Sequence, residues 1–495
     1  MKSYLFFLLF LPFLAYTQYG VLDDSFGEGG IVNYDNPFNQ SQSLDMKTDA
    51  EGNIYILGKY MEYDTGLGYE VSKFYMTKLF PDGNLDTDFG TNGFFQYGIQ
   101  GGWANATDFR IIDNQYLMIL GYYQTLNMIN QKRSNFFFLQ ISKEGEINSD
   151  YADNGLYFES ENAKRNYLKM SCFENDCLLS GQDWNSYSAN VFIQKRNLTG
   201  SINPTFGNNG TVIFGDGGKP DILTFFTTTD QFEPVILYYR PDYYRYGLLI
   251  LNYNGGYNHA STFIGAAVKF NSLSLTEDRV YLNGRYINKF LIRVFKSDLS
   301  HEGDFGITGS AYKDLGFPEQ QGTQLLVGEN GRLTQIGYVK DEFGEYKFAL
   351  NGYKSNGDVD LTFGNEGYTL TDVTESSYDV PIQAEMVSQD KILVLNSSLL
   401  SLARYTIYDG LFVEDISDSP KITLAPNPAA NSFVISGLTG TENLIQVFDL
   451  SGKLIREFKS VKDNQKIELG SIPKGNYLVK IMSGVFKESK KLIVK

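Results

Sequence analysis

A ten-residue phrase recurs six times along the chain: VLDDSFGEGG from Val21, NLDTDFGTNG from Asn84, EINSDYADNG from Glu146, SINPTFGNNG from Ser201, SHEGDFGITG from Ser300 and DVDLTFGNEG from Asp358. Each copy carries an aromatic at its sixth position (Phe26, Phe89, Tyr151, Phe206, Phe305, Phe363) and a glycine at its tenth. Repetition of this kind confines the chain to architectures assembled from similar units, each burying its apolar face against the next.

Two further markers recur between the copies. A turn followed by a short apolar strand, as in AEGNIYILGKY from Ala50 and QDKILVLNSS ending at Ser398, occurs seven times. An apolar strand running into a polar turn, as in FYMTKLFPDG and LARYTIYDG, also occurs seven times. With the extended segment after each aromatic, every unit supplies about four strands and no helical period. Abundant glycine, with 35 tyrosines and 37 phenylalanines, agrees with an all-β chain rich in turns. Four-stranded units repeated radially make a β-propeller, and the markers predict seven blades. The last strand pattern reaches Gly410 with no aromatic phrase after it, whereas Gly20 precedes Phe26 as Gly83 precedes Phe89. The segment 18–34 is therefore expected to complete the seventh blade and close the ring, removing an open sheet edge.

In this reading the six aromatics are apolar plugs at the joints between units, and the glycines permit positive φ or close backbone approach. Asp86 and Asp88 would cap the turn; calcium is the alternative ligand for them, although their spacing departs from that of a dedicated calcium loop. No other cofactor is indicated. The segment from Ala260 to Gly265 does not align with the phrase. The pattern DG-x-L-D-x-x-FG-x-x-G, best kept over Asp82–Gly93 and 357–367, resembles the delta-60 repeat family of bacterial secreted proteins. That resemblance implies a propeller over 18–412 and nothing about activity.

The termini speak of export. MKSYLFFLLFLPFLAYTQ has a lysine, a short apolar run and small residues before Gln18, the pattern of a signal peptide over 1–17. The run is too short to span a bilayer, and no other segment could. After a linker at 413–420, residues 421–495 carry twelve basic against six acidic side chains and alternate in about seven short strands, suggesting a small Ig-like β-sandwich. This module resembles the type A C-terminal sorting domain of the type IX secretion system of Bacteroidetes. The matching residues are Pro426, Asn427 and Pro428, the turn from Asp449 to Gly452, Gly475 and Tyr477 after Pro473, and Gly484 followed by Lys490, Lys491 and Lys495. The resemblance implies recognition by the type IX machinery and a secreted or outer-membrane cell-surface location.

Chemistry is less visible. A net charge of −16 argues against nucleic acid as a partner. Cys172 and Cys177 flank a tight turn and predict a cross-hairpin disulfide, with two free thiols as the alternative. The two histidines, His259 and His301, lie in different units, and no nucleophile elbow or metal-binding motif is present. LYYRPDYYRYG places Tyr238, Tyr239, Tyr243, Tyr244 and Tyr246 around Arg240 and Arg245. It reads either as a ligand platform or as two apolar strands flanking a Pro-Asp turn. Trp103 and Trp184 are equally open. The expectation is a non-enzymatic binding protein for a polysaccharide or protein ligand. A structural or adhesion protein of the envelope, or a hydrolase with a channel carboxylate pair, are the alternatives.

Overall fold

The structure is a computed structural model that describes residues 19–126, 132–159, 164–184, 189–215, 221–265, 267–328, 330–375, 378–407, 423–438, 443–449, 453–470, 472–483 and 486–495. The expected signal peptide, the linker, Gly452 and Gly484 lie outside these residues. The chain divides into two compact units, 1–410 and 411–495. The described residues contain no α-helix, only a 3-10 turn at Pro241–Tyr243.

Within the first unit the described residues form seven antiparallel sheets. Sheets 1 to 6 each have four strands and span 42–97, 103–159, 164–214, 222–264, 268–313 and 319–371. Sheet 7 joins Pro381–Ser388, Lys391–Asn396 and Leu400–Thr406 to two strands from the other end of the chain, Val21–Leu22 and Ile31–Tyr34. Both N-terminal strands pair with Leu400–Thr406, so the start of the chain completes the last sheet. The first strands of the sheets are Gln42–Thr48, Trp103–Ile112, Lys164–Phe173, Ile222–Thr228, Val268–Leu275, Glu319–Val327 and Pro381–Ser388. They adjoin one another in an unbroken cycle that returns from sheet 7 to sheet 1. This is a propeller-like arrangement.

The cores explain why the middle strands read as nearly continuous apolar runs. Residues 54–58 and 117–121 are covered on both faces, because an apolar core lies between each sheet and the next. Such cores occur all the way round, including one between sheets 6 and 7 built on Ile336, Phe348, Ile392 and Val394, and one between sheets 7 and 1 built on Leu393, Leu395, Ile54 and Ile56. The recurring glycine of the second strand has a steric cause. A Cβ on Gly58 would sit 2.1 Å from the Tyr75 ring of the next strand. In sheet 4 the roles are exchanged: Tyr238 is on the second strand and covers Gly247 on the third, again at 2.1 Å.

The repeated phrase is a latch between neighbouring sheets. Phe26, Phe89, Phe206, Phe305 and Phe363 are fully or almost fully buried. The glycine after each donates its N–H to the turn of the following sheet: Gly27 to Asp82 O, Gly90 to Glu144 O, Gly207 to Asn254 O, Gly306 to Asn356 O and Gly364 to Tyr19 O, at 2.7–2.9 Å. The turn glycine beside each acceptor makes room. Gly83, at φ +94°, would carry a Cβ 2.9 Å from the Phe26 ring. Tyr151 departs from the pattern; it is half-buried and donates its hydroxyl to Leu198 O of sheet 3 at 2.8 Å. Three residues before the aromatic, Asp86 Oδ1 accepts the Asp88 N–H at 3.1 Å, and Lys78 pairs with the other oxygen at 2.8 Å. Sheet 4 has no latch phrase because the turn 252–256 leads straight into an eight-residue fourth strand, Tyr257–Ile264.

Cys172 and Cys177 are directly opposite one another in the first hairpin of sheet 3 and form a disulfide. The loop that it closes is short, so its contribution is about 2 kcal/mol by chain entropy. Reduction should lower the free energy of unfolding measured in urea by about that amount and leave the far-ultraviolet dichroism unchanged.

In the second unit, seven strands form two sheets. One contains Thr423–Ala425, Ser432–Ser436 and Lys466–Glu468; the other contains Leu454–Val461, Asn443–Phe448, Gly475–Ser483 and Phe486–Val494. Phe433, Ile435, Ile445, Val447, Val479 and Ile481 fill the core that they share.

Candidate functional site

Each of the seven first strands has a register shift against its second strand, at 43/45, 106/108, 167/169, 223/225, 270/272, 322/324 and 381/383. A bulge bends the strand and re-aims a side chain. Around the ring the first strands face one another without forming a ladder, and side chains bridge the gaps. Between sheets 6 and 7, Gln324 accepts the Ala384 N–H at 2.7 Å and donates to Ala384 O at 2.8 Å. Between sheets 5 and 6, Asn271 donates to Gly322 O at 2.7 Å.

On the side formed by sheets 7, 1, 2 and 3 these bridges are charged. Asp108 accepts the Met170 N–H at 2.8 Å and the Arg110 guanidinium at 3.0 Å, while Arg110 reaches Met170 O. Asp45 pairs with Lys47 at 2.9 Å and lies within hydrogen-bond reach of Asp108. Thr48 N donates to Glu385 at 2.9 Å. Burial disfavours ionisation of both aspartates, but Lys47, Lys169 and Arg110 outweigh it at Asp45, whose carboxyl is held well below the usual range. Burial and the charge of Asp45 push Asp108 up despite Arg110 and Lys169. Asp108 is thus the more easily protonated member of the pair. Lys169 stays charged because Asp108 and Asp45 outweigh its burial.

Glu385 is pushed up from 4.5 to about 7, first by burial and then by Asp45, against Lys47 and the Thr48 N–H. A raised carboxyl binds its proton more tightly in the folded state, so its contribution is intact below the unfolded value and is lost as pH rises through about 7. Glu385→Gln, which keeps an acceptor for Thr48 N, should therefore match the wild type near pH 4 and exceed its stability above pH 7 by at most about 3 kcal/mol. Urea unfolding at both values checks this; a variant less stable than wild type above pH 7 would contradict it.

Two adjoining cavities open beside this cluster. One, of about 340 Å³, reaches the channel between Leu44, Thr107, Leu168 and Phe225 and is lined by Lys169. The other, of about 400 Å³, lies over Gln42, Tyr60 and Ser72. Lys59 and Asn105 line both. Ser72 donates to Asn105 Oδ1 at 3.2 Å, and Tyr69 stacks on Trp103 with ring centroids 5.2 Å apart at the outer end of the same two strands.

The tyrosine-rich segment is not a continuous platform. Tyr238 is buried over Gly247, and Tyr246 is buried between Phe263 and Phe270, its hydroxyl oxygen accepting the Phe270 N–H at 3.1 Å. Arg240 forms a fork with Asp221, at 3.0 Å through Nε and 3.1 Å through Nη2. Tyr239 is half-buried and stacks on Tyr246, leaving Tyr243 and Tyr244 exposed on the turn. Packing between sheets claims the other rings, so of the two readings of this segment the structure has the two strands, Pro234–Arg240 and Arg245–Leu251, flanking a Pro-Asp turn. Trp103 is in the Tyr69 stack, and the side chain of Trp184 is outside the described residues. His259 and His301 lie in sheets 4 and 5. Among the described residues no group of three or more His, Cys, Asp or Glu side chains is placed to hold a metal.

In the second unit the proline-rich segment is clamped to the last strand. Ile493 N donates to Asn427 Oδ1 at 2.9 Å, Ala429 N to Ile493 O at 2.8 Å, and Lys495 N to Ala429 O at 2.9 Å. Tyr477 is buried and donates to Pro473 O at 2.7 Å, fixing the approach to the strand that begins at Gly475. Lys490 and Lys491 lie on the strand Phe486–Val494.

Residues 423–495 match the secretion system C-terminal sorting domain family. The protein is secreted or held at the cell surface. The sorting domain is of the type IX system, and its presence implies interaction with that machinery. No curated protein matches the chain. Among solved structures, the chain is similar to the β-propeller domain of Nup133 from Vanderwaltozyma polyspora, with 11% identity, 73% of this chain and 100% of that chain covered, and a TM-score of 0.35. It is also similar to the NanB sialidase of Streptococcus pneumoniae, a K499G mutant, with 9% identity, 76% and 70% covered, and a TM-score of 0.36. The exo-β-1,3-galactanase of Phanerochaete chrysosporium has 9% identity, 90% and 98% covered, and a TM-score of 0.28. Similarities at this level say nothing about what the chain binds.

The sorting-domain residues were accessible to motif reading because they fall within one module of the chain. The channel residues escape it, although the sequence holds a trace of them. Asp45-Met46-Lys47 and Asp108-Phe109-Arg110 place charges at alternate positions of two first strands, where the sheet period aims each pair at one side.

Proposed function

We propose that the mature protein is a seven-bladed β-propeller of delta-60 repeats, carried to the cell surface through the type IX route by an Ig-like sorting domain after a signal peptide at 1–17 directs it from the cytoplasm. There it acts as a binding protein, taking a carbohydrate in the cleft beside Lys59 and Asn105, which sheets 1 to 4 line. The observation that carries this reading is the pair of connected cavities on either side of Lys59 and Asn105, which combine amide, hydroxyl and aromatic groups. Pockets of that make-up are the usual form of a small-molecule or oligosaccharide site.

Hydrolysis is the second reading, favoured by the carboxyl pair Asp45 and Asp108. A glycosidase keeps its two carboxyl groups about 5–5.5 Å or 6.5–9.5 Å apart, one on each side of the scissile bond. Asp45 and Asp108 lie within hydrogen-bond reach of each other, are buried, and are engaged by Lys47, Arg110 and Met170 N. That arrangement supports a structural role for the pair and binding without turnover.

The test incubates the purified chain with bacterial, algal and plant polysaccharides and scores depletion from solution together with release of reducing ends. Retention without new ends is expected. New reducing ends would overturn the non-enzymatic reading, and absence of both signals would move the assignment to a protein ligand.

A further inference from the structure

The charge balance around the two cavities names a ligand class. Lys59 is half-buried on the second strand of sheet 1, between Gln42 and Phe74 in register, and among the described residues no carboxylate pairs with it. A half-buried ammonium that lines two cavities at once is placed to pair with an anion entering either of them. Lys169, facing the inner cavity, adds to the same field. Behind it, Asp45 is already paired with Lys47 and Asp108 with Arg110, so neither carboxylate is left to the cavities. The protein as a whole carries −16, which makes an unneutralised basic pocket stand out from its surface.

The neighbouring groups describe the rest of the ligand. Asn105, Ser72 and Gln42 present amides and a hydroxyl to the outer cavity, and the Tyr122 ring forms part of the wall of the inner one. Leu44 and Phe225 supply apolar wall. Aromatic and apolar faces suit the C–H face of a pyranose, whereas amides and hydroxyls suit its edge. Resting on the carbohydrate-binding reading above, we propose that the cleft takes an anionic saccharide, with Lys59 pairing the carboxylate of a uronate or the sulfate of a sulfated sugar. Both sources offer the same oxygen-bearing anion on a ring.

Calorimetric titration of the full chain with trigalacturonate, a sulfated galactan trisaccharide, neutral laminaritriose, and sodium acetate and sulfate as free anions tests the assignment. At least one anionic trisaccharide should bind, laminaritriose should bind at least tenfold more weakly, and the free ions should give no saturable heat. Lys59→Gln should weaken the anionic trisaccharide about tenfold with an unchanged melting temperature, as expected for loss of a charge-assisted contact. Tyr122→Phe should weaken it less, and added salt should weaken the wild type alone. Equal binding of laminaritriose, free ions binding as tightly as the trisaccharides, or full affinity in Lys59→Gln would each overturn the anionic-saccharide assignment. Binding of laminaritriose alone would do so while leaving the carbohydrate-binding reading in place. No binding of any trisaccharide would overturn both.

Discussion

A chain ending before residue 423 is expected to fold its first unit normally and to lose delivery to the surface altogether. The two units have separate cores: that of the second is built from Phe433, Ile445, Val447, Val479 and their neighbours, and none of the sheets crosses between units. Deleting the sorting domain therefore removes no apolar contact from the cores between the seven sheets. It removes the segment that matches the secretion system sorting domain. In cell fractionation and surface proteolysis, the truncated chain should be protected inside the outer membrane while the full chain is accessible or released. Tyr477→Ala offers a graded version. It empties a buried site and removes the bond to Pro473 O, which should cost the second unit about 3–5 kcal/mol and reduce surface delivery in proportion. Undiminished surface delivery of the truncated chain would contradict the role given to 423–495.

The second large effect concerns ring closure. Phe363→Ala should destabilise the first unit by about 3–5 kcal/mol, the usual cost of emptying a buried phenylalanine site. Phe206→Ala should cost about the same, because the two rings occupy equivalent latches. Phe363 fills the space over Gly352 and Gly20, which would carry Cβ atoms 2.4 Å and 2.6 Å from its ring. Gly364 N donates to Tyr19 O at 2.7 Å, and the Tyr19 hydroxyl donates to Asp360 at 2.9 Å. The difference between the two positions is topological. Phe206 joins sheets consecutive in the chain, whereas Phe363 joins sheet 6 to residues more than three hundred positions earlier. Equal losses in urea unfolding would mean that the seam carries load like an internal joint. A near-neutral Phe363→Ala beside a costly Phe206→Ala would mean that the ring opens there first. Removing residues 19–34 goes further, since it exposes the edge of Leu400–Thr406 and invites pairing between molecules.

The parts of the fold that were legible share a cause: they are local and they repeat. The latch needs an aromatic, a turn acceptor three residues earlier and a following glycine, all within ten residues, so each copy announces itself. The closing role of 18–34 followed from a missing copy at one end and a surplus at the other. Sheet 4 was illegible because its fourth strand is reached by a direct turn at 252–256, which has no need of the phrase. Tyr238 was ambiguous for a related reason. In sheets 1, 2, 3, 5 and 6 a glycine lies on the second strand, but here the aromatic does, and linear order alone does not say which of Tyr238 and Gly247 faces the other. The cleft was wholly out of reach of motif reading. Gln42, Lys59, Ser72, Asn105 and Tyr122 come from five different strands in two sheets, and nothing in their spacing marks them as neighbours.

Hydrogen exchange of the full chain, with and without saturating trigalacturonate or the sulfated trisaccharide, tests the central claim most directly. Slowed exchange confined to the strands that line the two cavities, Gln42–Thr48, Ile54–Asp64, Tyr69–Leu79, Trp103–Ile112, Tyr116–Leu126, Lys164–Phe173 and Ile222–Thr228, with no reducing ends released, is the result expected of a surface protein that binds through this cleft. Protection centred on sheets 5, 6 or 7, or cleavage of the saccharide during labelling, would contradict it.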